Sequence, residues 1–127
     1  TLTFTASSHA VNTGGGTVVK ACATAPEATS YLRSESVQTI SLDDILREHP
    51  HIRYLKIDAE GAEYPILFTS TLLARVYEIS GEFHETQAEP RHTMAALAKH
   101  LTAQGFWVAW KQTSPGLGLF FASRDSD

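Results

Sequence analysis

The chain has 127 residues, 43% of them hydrophobic and 19% charged, and its formal net charge of −4 excludes the basic face that nucleic-acid scaffolds carry. No apolar run approaches the roughly 20 residues of a membrane span, and no signal-peptide pattern opens the chain. The single cysteine, Cys22, excludes an internal disulfide and a cysteine-based zinc site, so we expect a cytoplasmic protein with neither membrane nor nucleic-acid partners.

The first 36 residues carry few charges and are rich in Ser, Thr, Ala and Gly. Leu2 and Phe4 alternate with threonines, which predicts a half-buried strand, and Thr17–Ala23 predicts a second short strand. Gly14–Gly16 lacks the G-x-G-x-x-G spacing and the following helix of a phosphate loop, so it predicts a turn. The remainder, to about Glu35, is predicted to be surface loop.

From Val37 onward, predicted strands and helices alternate. Val37–Ile40 predicts a strand, after which Ser41 can cap a helix and Asp44 favours the positive helix end. That helix should end just before Pro50, because proline disfavours helical backbone in the preceding residue. Ile52–Ile57 is the next predicted strand.

The second half of the chain continues this alternation. A helix is predicted to begin around Pro65, a strand to span Val76–Phe83, and an amphipathic helix to span Pro90–Gln104, with Gly105 as its left-handed cap. The chain then closes with a predicted hairpin of Phe106–Trp110 and Leu117–Phe121. The order predicts an α/β fold whose sheet is mostly parallel, covered by helices and closed by an antiparallel hairpin.

Two acidic motifs stand at the ends of predicted strands. K-I-D-A-E-G-A-E at 56–63 contains Asp58, Glu60 and Glu63, and E-I-S-G-E-F-H-E at 78–85 contains Glu82 and His84. In open α/β sheets, ligands bind beyond the carboxyl ends of the strands. If the two strands are neighbours, Asp58 and His84 meet at one rim of the sheet.

Each of these residues has a structural alternative. Asp58 ends an apolar strand without an evident structural task, which favours a functional role. Glu63 is equally well explained as a partner of the helix dipole, and His84 as a structural histidine. Asp58, Glu82 and His84 could also hold Mn, Fe or Zn, but no tight ligand spacing such as H-E-x-x-H is present, so we favour a site without metal.

Other chemically notable side chains have ordinary explanations. Trp107 and Trp110 are expected to pack in the core, and Cys22 is expected to be inert. The remaining histidines are expected to be solvated: His9, His49, His51, His92 and His100.

Three strings resemble a known family: V-Q-T-I-S-L-D-D-I-L at 37–46, Y-L-K-I-D-A-E-G-A-E-Y-P-I-L at 54–67 and I-S-G-E-F-H-E at 79–85. In this order and spacing they resemble the FkbM family of S-adenosylmethionine-dependent methyltransferases, from about residue 37 to the end. The resemblance implies a class I, Rossmann-like methyltransferase fold. It also implies transfer of a methyl group from S-adenosylmethionine to a hydroxyl of a small-molecule acceptor such as a sugar or polyketide.

The same resemblance implies roles for the acidic motifs. Asp58 and Glu60 would lie near the methionine moiety of the cofactor, and His84 would face the acceptor. We expect His84 to act as the base, with Asp58 and Glu82 as further catalytic residues, because an imidazole titrates near working pH.

The family's glycine-rich cofactor turn has no counterpart in this chain. We therefore expect one partial domain, in which 1–36 is a variable excursion and 37–127 is the C-terminal half of the fold, inactive and poor at binding the cofactor by itself. Two alternatives stay open: a non-catalytic half-fold binding or assembly module, and a carboxylate–histidine metal hydrolase. An exposed sheet edge would also favour a homo-oligomer.

Overall fold

The computed structural model describes residues 2–7, 32–85 and 89–125. These residues form a two-stranded sheet and a four-stranded sheet, together with three α-helices. None of the helices in these ranges is both long and apolar enough to cross a membrane. The predictions for His9, Gly14–Gly16, Thr17–Ala23 and Cys22 concern residues outside the described ranges.

The two-stranded sheet pairs β1 (Leu2–Ser7) with β2 (Leu32–Val37) in antiparallel register, with Leu2 opposite Val37. The predicted strand at β1 is confirmed. The prediction of loop to about Glu35 is wrong from residue 32 onward, which lies in β2, and its earlier part falls outside the described residues. The prediction of a strand at Val37–Ile40 is also wrong, because β2 ends at Val37. The sequence of β2, L-R-S-E-S-V, does not alternate apolar with polar residues. Pairing with β1 therefore stabilises β2 as a strand.

Helix α1 (Leu42–Glu48) begins at the predicted cap. The Ser41 hydroxyl accepts the N–H of Asp44, and the Asp44 carboxylate accepts the N–H of Ser41 at 3.1 Å, which is a capping box. The helix ends before Pro50, and β3 (Ile52–Ile57) follows at the predicted bounds.

Helix α2 (Glu63–Thr69) begins two residues before Pro65, so the proline lies in the first turn, where its missing N–H costs nothing. A 3-10 turn (Leu73–Arg75) then leads into β4 (Val76–His84). This strand extends one residue beyond its predicted end and so includes His84.

Helix α3 (Met94–Ala103) begins four residues later than predicted. Thr93 is its N-cap, and the Thr93 hydroxyl accepts the N–H of Ala96 at 3.2 Å. Gly105, just beyond the helix, has the predicted left-handed backbone, with a φ of 90°.

The last two strands, β5 (Trp107–Ser114) and β6 (Leu117–Ser123), form the predicted antiparallel hairpin. The order of the four-stranded sheet is β3-β4-β6-β5, so β6 lies between β4 and β5 and is antiparallel to both. The prediction of a mostly parallel sheet is therefore wrong, because β3 and β4 are its one parallel pair. Strands β3, β4 and β5 run in the same direction. The sheet is mixed because β6, the second strand of the hairpin, lies between β4 and β5 and runs in the opposite direction.

The helices cover one face of the four-stranded sheet. The buried core between them includes Leu46, Tyr64, Leu67, Leu97, Leu101, Ile79, Phe83 and Phe120. Trp107 and Trp110 are 65% and 50% exposed, so the prediction that they pack in the core is wrong. Trp107 lies on the sheet face that the helices leave uncovered, together with Leu119 and Phe121. Trp110 lies on the other face but in β5, an edge strand with a neighbouring strand on one side only.

Asp43 connects α1 to the segment that follows α2. Its carboxylate accepts hydrogen bonds from the Ser70 hydroxyl at 2.5 Å, from the Thr71 N–H at 3.0 Å and from the Thr71 hydroxyl at 2.6 Å. These hydrogen bonds lower the pKa of Asp43 to about 2, and the bond from the Ser70 hydroxyl has the largest effect. The charged form of Asp43 therefore stabilises the fold.

Replacing Asp43 with asparagine should lower the free energy of unfolding by about 1–2 kcal/mol near pH 7, because hydrogen bonds to a charged acceptor are lost. A depressed pKa contributes stability above the unfolded value of 3.8, and that contribution disappears as the pH falls towards about 2. Urea titrations should therefore show a smaller difference in unfolding free energy between wild type and Asp43→Asn near pH 2.5 than near pH 7. Glu48→Gln, on the exposed surface of the same helix, is the matched control. An Asp43→Asn deficit of equal size at both pH values would contradict this account.

Candidate functional site

The carboxyl ends of β3 and β4 form one rim, because the two strands are parallel neighbours. Asp58 follows β3 directly, and Glu82 and His84 lie in the last three residues of β4. One ligand atom from each of these three side chains lies within 4.8 Å of the others. The prediction that Asp58 and His84 meet at the same rim is confirmed.

Gly81 sets the distance between the two strands at this rim. It pairs with Ile57, and a side chain at Gly81 would collide with the carbonyl oxygen of Ile57. The absence of a side chain lets the end of β3 pack closely against β4, next to Glu82.

A tight turn between β3 and α2 places Glu60 over the rim. Glu60 has a φ of 49° and Gly61 a φ of 99°, so both have left-handed backbone. This conformation is uncommon for a residue with a side chain, and such strain is often found at functional sites. The turn brings Glu60 Oε2 to 3.3 Å from His84 Nε2.

Glu63 is a fully buried carboxylate that joins this turn to the end of β4. Its Oε2 accepts the Gly61 N–H at 2.9 Å, and its Oε1 accepts the backbone N–H of His84 at 2.8 Å. The same Oε1 lies 2.9 Å from His84 Nδ1. Glu63 therefore lies in the first turn of α2, as expected of a partner of the helix dipole, and it also holds His84, which the sequence did not indicate.

The imidazole of His84 is oriented by these contacts. A carboxylate only accepts hydrogen bonds, so Nδ1 donates its N–H to Glu63, and in the neutral ring Nε2 carries the lone pair. Nε2 faces the rim, 3.3 Å from Glu60 Oε2 and 3.8 Å from Glu82 Oε2. The His84 side chain is 18% exposed and Glu82 is 45% exposed, so solutes can reach this edge of the ring.

Glu85, the last acidic residue of the second motif, has a different task. Its Oε1 accepts the N–H of Met94 at 2.7 Å, which satisfies a free donor at the start of α3. Glu85 therefore supports the fold rather than the rim.

The remaining histidines fall into two groups. His49 and His51 are exposed, as predicted. The prediction of solvation is wrong for His92, whose ring stacks on Tyr64 at 5.0 Å, and for His100, whose Nε2 lies 3.1 Å from the carbonyl oxygen of Leu67. Both are packed because α2 and the region around α3 meet over the core.

Tyr64 lies next to Glu63 and is fully buried. Its hydroxyl has no hydrogen-bond partner within the described ranges. Burial raises the pKa of Tyr64, and the nearby Glu63 and Glu85 carboxylates raise it further. The phenol therefore stays protonated.

A family model described as the methyltransferase FkbM domain matches residues 3–108. The match includes both acidic motifs and the rim, begins upstream of residue 37, and ends within β5. No curated protein and no solved structure matches the chain.

Proposed function

The chain belongs to the FkbM methyltransferase family, and from that premise we propose that the rim of β3 and β4 is where a methyl group is transferred to a hydroxyl of a sugar, a polyketide or a similar small metabolite. The observation that carries the proposal is the His84 ring, held by buried Glu63 with its Nε2 facing the rim. A reducing, cytoplasmic setting is part of the same proposal.

The carboxylates of Asp58 and Glu60 fit the methionine end of S-adenosylmethionine. This end carries a positive sulfonium, which carboxylates at the carboxyl ends of the strands attract. When bound, S-adenosylmethionine supplies a methyl group that is already activated by the sulfonium. Asp58 and Glu60 would therefore orient the methyl group towards His84, which lies on the neighbouring strand.

In the proposed reaction, the acceptor hydroxyl lies against His84 Nε2. His84 Nε2 would take the proton of that hydroxyl as its oxygen accepts the methyl group. Glu63 keeps Nδ1 protonated and the ring in place, and its negative charge stabilises the imidazolium that forms. Glu82 is placed to accept hydrogen bonds from other hydroxyls of the acceptor, since it is half-exposed beside His84.

The chain contains no G-x-G-x-x-G string. We therefore propose that most contacts to the adenosine come from outside these 127 residues. In this proposal, 37–127 corresponds to the C-terminal half of a class I fold and 1–36 to a variable excursion.

Calorimetry with S-adenosylhomocysteine tests the cofactor assignment. In this proposal the full-length protein is a longer chain that also contains the cofactor-binding half. It should bind this product, and residues 1–127 alone should bind it at least about tenfold more weakly, because the adenosine contacts are missing. Asp58→Asn should weaken binding by the full-length protein, whereas Glu78→Gln, whose carboxylate is paired with Arg53, should not. Micromolar binding by residues 1–127 would contradict the half-fold proposal. No binding by the full-length protein would contradict the proposed function.

A non-catalytic assembly module is the second candidate, and one observation favours it. Tyr54, Trp107, Leu119 and Phe121 are all exposed, and the strand pairing places them on the same face of the four-stranded sheet. An apolar face of this kind is typical of an interaction surface, including one between copies of a chain. Failure of the full-length protein to release S-adenosylhomocysteine with any hydroxyl acceptor, together with a stable oligomer in light scattering, would favour this candidate.

A further inference from the structure

Glu60 is the rim carboxylate that stands on a strained backbone. Among the described residues it is the only one other than glycine with a positive φ, 49°, a conformation that glycine or asparagine adopts more easily. The turn has a glutamate there all the same. Its side chain is 39% exposed, and its Oε2 lies 3.3 Å from His84 Nε2. Strain at this position indicates a task for the side chain, because the turn itself would be better served by glycine.

Both ring nitrogens of His84 face carboxylate oxygens. Nδ1 lies 2.9 Å from Oε1 of buried Glu63, and Nε2 lies 3.3 Å from Oε2 of Glu60. A carboxylate only accepts hydrogen bonds, and a neutral imidazole has a proton for one nitrogen only. With Nδ1 protonated, the neutral ring would direct the Nε2 lone pair at a negative oxygen. The two carboxylates are therefore placed for an imidazolium, whose nitrogens both carry a proton.

The other groups around the ring favour the same form. On its own strand, Glu82 Oε2 lies 3.8 Å from Nε2, and Asp58 at the end of β3 lies at the same rim. Glu85, the next residue, is engaged at the start of α3, and Leu117, opposite His84 on β6, is uncharged. Within the described ranges, neither Asp58 nor Glu82 pairs with a lysine or an arginine. The charges that face the ring are thus negative, and they stabilise the imidazolium.

We infer that Glu60 is a positioning residue that holds the Nε2 proton of His84 in the cofactor-free protein and gives it up when S-adenosylmethionine binds. The inference rests on the proposed function, in which Glu60 faces the positive methionine end of the cofactor. A sulfonium beside Glu60 competes for the same negative charge and repels the imidazolium. His84 then releases its Nε2 proton to the solvent, and the lone pair becomes available to the acceptor hydroxyl.

This coupling distinguishes the methyl donor from its product. The sulfur of S-adenosylhomocysteine is neutral, and its ammonium and carboxylate groups cancel each other's charge. The product therefore leaves His84 protonated, whereas the donor does not. The base is freed only when a methyl group is present to be transferred.

The test is calorimetry of both ligands with the full-length protein near pH 6, in two buffers that differ in ionisation enthalpy. The difference between the two apparent binding enthalpies gives the number of protons released. An ordinary imidazole is largely protonated at this pH, so S-adenosylmethionine should release about half a proton or more, and S-adenosylhomocysteine less than about 0.2. By linkage, the affinity for S-adenosylmethionine should rise at least about threefold from pH 5.5 to pH 7, and that for the product should stay within about twofold.

Glu60→Gln should at least halve the proton release, and His84→Gln should abolish the difference between the two ligands. Glu60→Gly should also halve it, and its urea-unfolding midpoint should match or exceed that of wild type, because glycine suits the left-handed backbone. Glu48→Gln is the matched control. This exposed carboxylate precedes β3, at the end of that strand remote from the rim, so its proton release should equal that of wild type.

Equal proton release with the two ligands, or unchanged release in Glu60→Gln, would overturn the inference. The proposed function would still stand in that case, since both ligands would bind. Binding of neither ligand would overturn the inference and the proposed function together. A Glu60→Gly protein that unfolds at a lower urea concentration than wild type would assign the Glu60 side chain to the fold, which also overturns the inference.

Discussion

Replacing His84 with alanine should lower the rate of methyl transfer by the full-length protein about a hundredfold or more. A positioned proton acceptor typically contributes a factor of this size, and His84 Nε2 is the ring nitrogen that faces the rim. The measurement is the rate of S-adenosylhomocysteine release with a panel of hydroxyl-bearing acceptors.

Two controls make the His84→Ala result specific. His51→Ala removes an exposed histidine next to β3 and should leave the rate unchanged. Added imidazole should restore part of the rate to His84→Ala if the lost function is proton acceptance. Turnover of His84→Ala within a fewfold of wild type would eliminate His84 as the base.

Replacing Glu63 with glutamine should cost about 2–3 kcal/mol of unfolding free energy, even though the two side chains have the same shape. The carboxylate accepts from Gly61 through one oxygen and from His84 through the other. An amide has one oxygen, so in either orientation its NH₂ group points at an N–H donor and leaves that donor unsatisfied in a buried setting. Glu63→Ala leaves every one of these donors without its partner and should cost about 3–5 kcal/mol.

Urea unfolding measures this effect, with Glu48→Gln as an exposed control that should stay within about 0.5 kcal/mol of wild type. Below its unfolding transition, Glu63→Gln should also transfer methyl groups more slowly, because the charged acceptor at His84 Nδ1 is then lost. A Glu63→Gln protein with wild-type stability would show that the buried hydrogen bonds do not support the fold. Wild-type turnover by the folded variant would remove Glu63 as a positioning residue.

Local chemistry determined several elements of this protein. The start of α1 follows from Ser41 and Asp44, which are three residues apart and satisfy each other's hydrogen bonds whatever the rest of the chain does. The left-handed backbone at Gly105 likewise depends on the residue itself. The rim could also be predicted, because Asp58 and His84 lie at the ends of two strands that turned out to be parallel neighbours.

Tertiary structure alone decided the features that depend on distant partners. Strand β2 forms where its own sequence has little strand character, because β1 supplies its hydrogen bonds. Insertion of β6 between β4 and β5 made the sheet mixed and left Trp110 at an exposed edge, which no local pattern encodes. Glu63 and His84 are 21 residues apart, and only the packing of α2 against β4 buries the first and orients the second. The acidic motifs thus indicated where the candidate site lies, and the fold determined which carboxylate holds the histidine, because burial is a property of the assembled structure.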